Sequence, residues 1–449
     1  MHRFDATTER IAQLCFDYAI ERLRLDPPPI DQPSTLAALD AAVGPTITAS
    51  GHDPETVMAW YHDTLAPACI SCDSPAFLSF IPCAPTKASQ LFDIVISASA
   101  ICGSDWLEAS GAIYAENQAL RWLSDLAGFP AGAGGTFVSG GSAGNLSGLV
   151  TARTWAAEQR PRPARWRVAL ADTAHSSLNN TLRILDIDPL VVRTGPDDRL
   201  TGDALRAALE ADPHHESVCA VVATAGTTNT GTVDDLEGVA RIAHERGVWM
   251  HVDGAYGLAG LAAPSVRDKF AGIEHADSFV VDPHKWLFAP FDCAALLYRD
   301  PVIAQHAHSQ HAAYLDPVRA YEAWDPADYA YQLTRRVRGL PFWFSLAVHG
   351  TDAYRDAIER TLEIARDAAA RIEAAPHLEL VLDPELTVVV FRRIGWSPDD
   401  YQRWSDAMLR DQRAFIVPTT HHGERLLRAV YLHPECPPEI TDDYIASLA

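Results

Sequence analysis

The chain has 449 residues, 48% of them hydrophobic, enough for a large core and for two or three domains of ordinary size. Its formal net charge is -23 and no run of lysine and arginine stands out, which excludes nucleic acid and anionic membrane surfaces as expected partners. The N-terminal stretch has no signal-peptide core, and the longest apolar run, "LFDIVISASAIC", is too short to span a bilayer, so a soluble cytoplasmic protein is expected.

Residues 7–24 read as an amphipathic helix that ends at the prolines of "LDPPPIDQP", and helical pattern continues to about residue 66. From about residue 86 helices alternate with short apolar strands. "GGTFVSG" is a predicted strand and "NLSGLVTARTWAAEQ" the helix after it. "RWRVALA" and "SSLNNTLRIL" repeat the pattern, as do "VCAVVATA" and "DLEGVARIAHERG", the last closed by Gly247. "VWMHVDG", "DSFVV" and "CAALLY" follow as strands. This alternation predicts a mainly parallel α/β sheet. Beyond Tyr298 an irregular stretch leads to two long predicted helices, "LTRRVRGLPFWFSLAVHG" and "DAYRDAIERTLEIARDAAARIEAAP". The tail, with "LELVLDPELTVVVFRRIG" and "RLLRAVYLHP", reads as a small α+β domain. The expected organisation is a helical segment over 1–85, a large domain over 86–345 and a small domain over 346–449.

The eight cysteines are scattered, and Cys69–Cys72 is a CxxC without a second pair, so ordinary reduced thiols are expected. "HAHSQH", with His306, His308 and His311, has no cysteine or carboxylate beside it, and no metal is assigned.

Ligands of open parallel sheets bind beyond the carboxyl ends of the strands. Four features fall at such ends. "SGGSAGN", residues 139–145, offers glycines, the hydroxyl of Ser142 and the N–H groups of a helix start, which suit a phosphate; a plain Gly/Ser turn is the competing reading. Asp253 in "HVDGAYG" is placed to hold a cationic ring nitrogen or to cap the next segment. His175 in "ADTAHSSLNN" faces a cleft if Ser176 and Ser177 cap the following helix, and is otherwise structural. Lys285 in "SFVVDPHKWLF" is a nucleophile if burial makes it a neutral amine, and a snorkelling lysine if it reaches solvent. Pyridoxal phosphate uses all four: a lysine for its Schiff base, an anion site, an acid for its ring nitrogen and a flat ring on its face.

At this point the chain resembles the group II pyridoxal-dependent amino-acid decarboxylases, the family of aromatic-L-amino-acid, glutamate and tyrosine decarboxylases. "GGSAGN", "AHSS", "HVDGAYG", "DPHKW" and "FDCAALLY" match its motifs in order. The resemblance implies fold type I, with a mainly parallel seven-stranded sheet. It implies Lys285 as the Schiff-base lysine, Asp253 as the ring-nitrogen partner and His175 as the stacking residue. Gly141, Ser142 and His284 would hold the phosphate, with Thr227 and Ala255 lining the cofactor. Asp282 stands where some relatives have asparagine, and an ionised carboxylate there would repel a phosphate.

The implied reaction is decarboxylation of an L-amino acid to its amine and CO2. The family presents a loop tyrosine as proton donor; Tyr314, Tyr321, Tyr329 and Tyr331 are the candidates, and Pro326 falls where a gapless reading puts that tyrosine. Relatives lacking it react with oxygen and release an aldehyde, the alternative reading. "FLSFIP", with Phe80 and Ile81, and "ICGSDW", with Ser104, correspond to the pocket wall and to an element from the partner subunit. Neither adds a basic residue, which points to a hydrophobic or aromatic substrate. The family resemblance also implies a homodimer with the active site at its interface. A different class remains open: "GGSAG" fits the nucleophile elbow of α/β hydrolases, with Ser142, Asp253 and His275 in order. So does a non-catalytic protein on the same fold.

Overall fold

The computed structural model describes residues 2–310 and 324–449. Seven strands build the main sheet: β1 (Gly134–Val138), β2 (Arg167–Ala171), β3 (Asp188–Val192), β4 (Val218–Thr224), β5 (Trp249–Asp253), β6 (Ser278–Val281) and β7 (Ala294–Tyr298). Their order is β1-β7-β6-β5-β4-β2-β3. The neighbours from β6 through β3 run parallel, and β7 is antiparallel to both β1 and β6. β4 to β7 are buried at every position, because helices cover both faces.

β3, "DPLVV", was not among the predicted strands. Pro189 argues against a strand, and only an edge position tolerates it. The long helix expected over "LTRRVRGLPFWFSLAVHG" is shorter than its apolar pattern suggests, spanning Leu340–His349 with Pro341 in its first turn. The preceding residues are held otherwise: the buried Arg335 guanidinium donates to both oxygens of Glu116 at 2.8 and 2.7 Å. Breaking the pair to extend the helix would strand a buried charge at a cost of about 3–5 kcal/mol, more than helix propensity returns.

A second sheet, β8 (Leu378–Leu382), β9 (Val388–Arg393), β10 (Pro418–His421) and β11 (Glu424–Val430), is antiparallel in the order β10-β11-β9-β8. The boundary expected at residue 346 falls inside the helix Leu340–His349. The following helix, Thr351–Ala374, packs Tyr354, Ile358 and Leu362 into the main core and Ile364 to Ile372 into the small one. The first three helices, Ala6–Leu23, Leu36–Ala42 and Pro54–Trp60, bury no residue. Among the described residues no helix is long and apolar enough to cross a membrane.

Candidate active site

The loops at the carboxyl ends of β1, β2, β4, β5 and β6 meet around a cleft of about 220 Å³. Gly141, Ser142, His175, Asp253, Ala255, Asp282, His284 and Lys285 line it. A larger hollow of about 640 Å³ lies under the N-terminal helices, lined by Tyr18, Arg22 and Cys72 among others, and contains none of these groups.

Asp253 ends β5 and is 6% exposed. Its Oδ1 accepts from Ala255 N–H at 3.2 Å and its Oδ2 from the Asn145 amide at 2.9 Å. It therefore both caps the next segment and faces the cleft. Asn145 carries the network inward: its Oδ1 lies 2.9 Å from His251 Nε2, His251 Nδ1 lies 2.8 Å from Ser278 Oγ, and Trp249 Nε1–H donates to that Oγ at 2.9 Å. Burial pushes His251 down to about 4, against a smaller upward pull from Asp253, so the ring is neutral near pH 7. Asn145 fixes the rest. Its Nδ2 donates to Asp253, so its Oδ1 accepts from His251 Nε2–H, and Nδ1 of the neutral ring accepts the Ser278 proton. Asn145 and this chain behind Asp253 were not assigned roles from the sequence; the asparagine was visible as the last residue of "GGSAGN".

Lys285 follows β6 and its side chain is 24% exposed, so it is neither deeply buried nor snorkelling freely. Its Nζ pairs with Asp282 Oδ2 at 2.9 Å, and the same oxygen accepts from Gly141 N–H at 3.2 Å. The residues after it explain the "KWLF" run. Trp286, Leu287 and Phe288 are buried in the main core, and Trp286 Nε1–H donates to Thr361 Oγ1 at 2.8 Å. They fix the turn that presents the lysine. His284 Nδ1 accepts from Cys293 N–H at 3.0 Å, and burial lowers its pKa. The neutral ring then carries its hydrogen on Nε2, which faces Asp282 Oδ2 at 3.5 Å.

His175 is itself the N-cap of the helix Ser176–Leu185, its Nδ1 accepting from Ser177 N–H and pairing with Ser177 Oγ at 2.8 Å. This corrects the expectation that the serines cap the helix and free the histidine; the ring is tethered and exposed at the cleft. The Thr227 hydroxyl is engaged within its own turn, with Thr230 Oγ1 at 2.7 Å and Thr232 N–H at 3.2 Å, and Thr224, Gly226 and Thr228 flank the cleft instead. Phe80, Ile81 and Ser104 do not line it within one chain. Phe80 is 58% exposed and packs beside Phe77 and Phe415. Arg428, not singled out from the sequence, donates to Phe80 O and Thr228 O, each at 2.7 Å, tying the small sheet to the cleft loop.

Tyr314 and Tyr321 lie outside the described residues. Tyr329 is buried, stacked on Trp324 at 4.1 Å, and its hydroxyl accepts from Gln305 at 2.7 Å. Tyr331 is 51% exposed. The hydrolase triad does not assemble, since His275 is not at the cleft and sits beside Glu274.

The family model described as "Pyridoxal-dependent decarboxylase conserved domain" matches residues 39–394. The chain belongs to the pyridoxal-dependent decarboxylase family. An aromatic-L-amino-acid decarboxylase of Bacillus atrophaeus is 29% identical over 393 residues, 86% of this chain and 81% of that protein. An L-2,4-diaminobutyrate decarboxylase of Rhizobium meliloti (strain 1021) is 31% identical over 381 residues, 82% and 75% of the two chains. A phenylacetaldehyde synthase of Petunia hybrida is 28% identical, over 75% of this chain and 70% of that one. The solved structure of Oryza sativa TDC with PLP and tryptamine superimposes with a TM-score of 0.90, covering 100% of this chain and 98% of that one at 22% identity, and shares the fold. This decarboxylase is thus a pyridoxal-phosphate-dependent carboxy-lyase of fold type I. Membership removes the hydrolase reading and the non-catalytic one.

The residues present fit the cofactor. A phosphate needs a close backbone, and Gly141 supplies it: a Cβ there would come within 2.9 Å of Ala255 Cβ and 3.2 Å of Asp282 Oδ2. Asp282 Oδ1 is buried and accepts no hydrogen bond, and as an acceptor it offers a phosphate no donor. Its charge is the one feature that disfavours an anion beside Gly141.

Proposed function

We propose that this decarboxylase converts an aromatic or other hydrophobic L-amino acid to the amine and CO2 on pyridoxal phosphate bound through Lys285. The observation that carries this reading is the convergence of Lys285, Asp253, His175 and the start of the helix Gly141–Gln159 on one cleft. When bound, the cofactor supplies an electron sink for the bond that breaks at the substrate Cα. Asp253, oriented by Asn145 and Ala255, holds a proton at the ring nitrogen, and His175 supplies a flat face. Gly141, Ser142 and His284 hold the phosphate. Lys285 Nζ would carry the cofactor, and Asp282 Oδ2, 2.9 Å away, would hold that amine in place whenever it is free.

The functional unit is a homodimer in this reading. The N-terminal helices leave Ile11, Phe16 and Ile20 at 40% exposure or more, so a second copy is needed to cover them. The same copy would bring the "ICGSDW" segment to the pocket wall, with Ser104 itself only 5% exposed within its own chain. Light scattering tests this; a fully active monomer is incompatible with it.

One observation favours a second reading, oxygen-dependent conversion to an aldehyde. Pro326 sits in a short turn over Pro326–Asp328, and Tyr329 beside it is fixed away from the cleft. Incubation with a mixed pool of L-amino acids, under air and under nitrogen, with products identified by mass spectrometry, separates the two. Equal amine in both atmospheres supports decarboxylation and names the substrate. Aldehyde formed in air alone assigns the second reading, and neither product rejects both.

A further inference from the structure

We propose that Asp198, His421 and His422 form a zinc site that clamps the small sheet to the large one, away from the cofactor. Asp198 lies in the loop between β3 and the helix Gly202–Ala211, and its side chain is 2% exposed. His421 ends β10 and His422 begins the turn into β11. One ligand atom from each residue lies within 4.8 Å of the others.

The spacing suits a shared ion. Tetrahedral zinc with bonds of about 2.0 Å places neighbouring ligand atoms about 3.3 Å apart. His421 Nε2 is 3.4 Å from Asp198 Oδ2 and His422 Nε2 is 2.9 Å from Oδ1. Direct hydrogen bonding covers only part of the arrangement: His422 Nε2 is within reach of Oδ1 but poorly aligned with it, and His421 Nε2 stands 3.4 Å from Oδ2. Two imidazole nitrogens thus aim at one buried carboxylate from a single hairpin. The two-residue hairpin turn His422–Gly423, with φ 46° and 79°, presents the two histidines together. His422 is 59% exposed, which gives an ion an entry path and leaves its fourth position to water. None of the three lines the cofactor cleft, so the ion's part is structural.

The clamp would act close to the chemistry. Thr173, two residues before His175, donates its hydroxyl to Asp198 O at 3.4 Å. Thr419, on the same strand as His421, donates to Asn229 Oδ1 at 2.9 Å in the loop that flanks the cleft. Zinc would fix the hairpin against both loops.

The test uses untagged holoenzyme freed of metal by chelation and titrated calorimetrically with zinc chloride. The parent is expected to bind one equivalent per chain and to gain thermal midpoint. His422→Ala removes a mostly exposed side chain, so it should fold, yet lose both the equivalent and the gain; Asp198→Asn should do the same. A parent that binds no stoichiometric zinc overturns the proposal. So does a His422→Ala variant that binds as the parent does, which would move the ion elsewhere, with Cys69 and Cys72 the first place to look.

Discussion

Ser278→Ala tests the hydrogen-bonded chain behind Asp253. The substitution deletes one oxygen at a fully buried site, so little packing is lost. Two partners are stranded: the Trp249 indole N–H at 2.9 Å and His251 Nδ1 at 2.8 Å. A buried polar group left unpaired costs about 1–3 kcal/mol, so the loss should be about 2–6 kcal/mol. The effect reaches the cleft as well. The ring keeps its hydrogen on Nε2, which Asn145 Oδ1 still accepts, but nothing now holds the ring from Nδ1, so the support that orients the Asn145 amide toward Asp253 is loosened. Pyridoxal phosphate should therefore bind about tenfold more weakly. Urea unfolding of the apoprotein reads the first effect and cofactor titration the second. Ser99→Ala is the control, since that hydroxyl is exposed and bonds only to Val95 O within its helix; it should cost under about 0.5 kcal/mol. Ser278→Ala within 1 kcal/mol of the parent, with unchanged cofactor affinity, would refute the reasoning.

Lys285→Ala should remove the yellow colour of the lysine-bound cofactor and lower turnover by roughly a thousandfold or more, as expected for loss of a covalent catalyst; substantial residual turnover would end its assigned role. Asp282→Asn keeps an acceptor for Gly141 N–H and removes a negative charge beside the phosphate cradle. Cofactor should bind about tenfold tighter, about 1.4 kcal/mol; weaker binding would mean that Asp282 donates a proton to the phosphate. His308 is buried against Ser147 O and Thr151 Oγ1, and burial lowers its pKa from 6.5 to about 4. The folded chain therefore resists its protonation, so its stability term is complete above pH 6.5 and lost as pH falls toward 4. His308→Gln does not titrate, so it should gain about 3 kcal/mol on the parent between pH 7 and pH 4 in parallel urea titrations; a constant gap would contradict the burial argument.

Much of the fold was legible because each βα unit announces itself locally. The helix Leu236–Arg246 stops where Gly247 adopts φ 60°, and β4 and β6 are almost wholly apolar runs. β3 was hidden by Pro189, whose missing N–H is harmless only at the sheet edge. The shortened helix Leu340–His349 was hidden by the Arg335–Glu116 pair, whose partners are 219 residues apart. In the candidate site, Lys285, Asp253, His175 and Ser142 were legible because they stand at the ends of predicted strands, where an open parallel sheet collects its ligands. Asn145 was within a noted motif, but its contact with Asp253 spans 108 residues and has no local signal.

The sequence by itself determined the alternation of strands and helices, the groups at the strand ends and the resemblance to a decarboxylase family, since all of these are written in short, contiguous motifs. Tertiary structure alone decided which groups meet. It put Asp282 on Lys285, made His175 a helix cap, and turned the Thr227 hydroxyl into its own loop. It also brought Asp198 beside His421 and His422 across more than 200 residues of chain. The first three are each contacts within one loop, whose turn geometry the surrounding sheet sets, while the last follows from the docking of one sheet on another and is beyond the reach of any single motif.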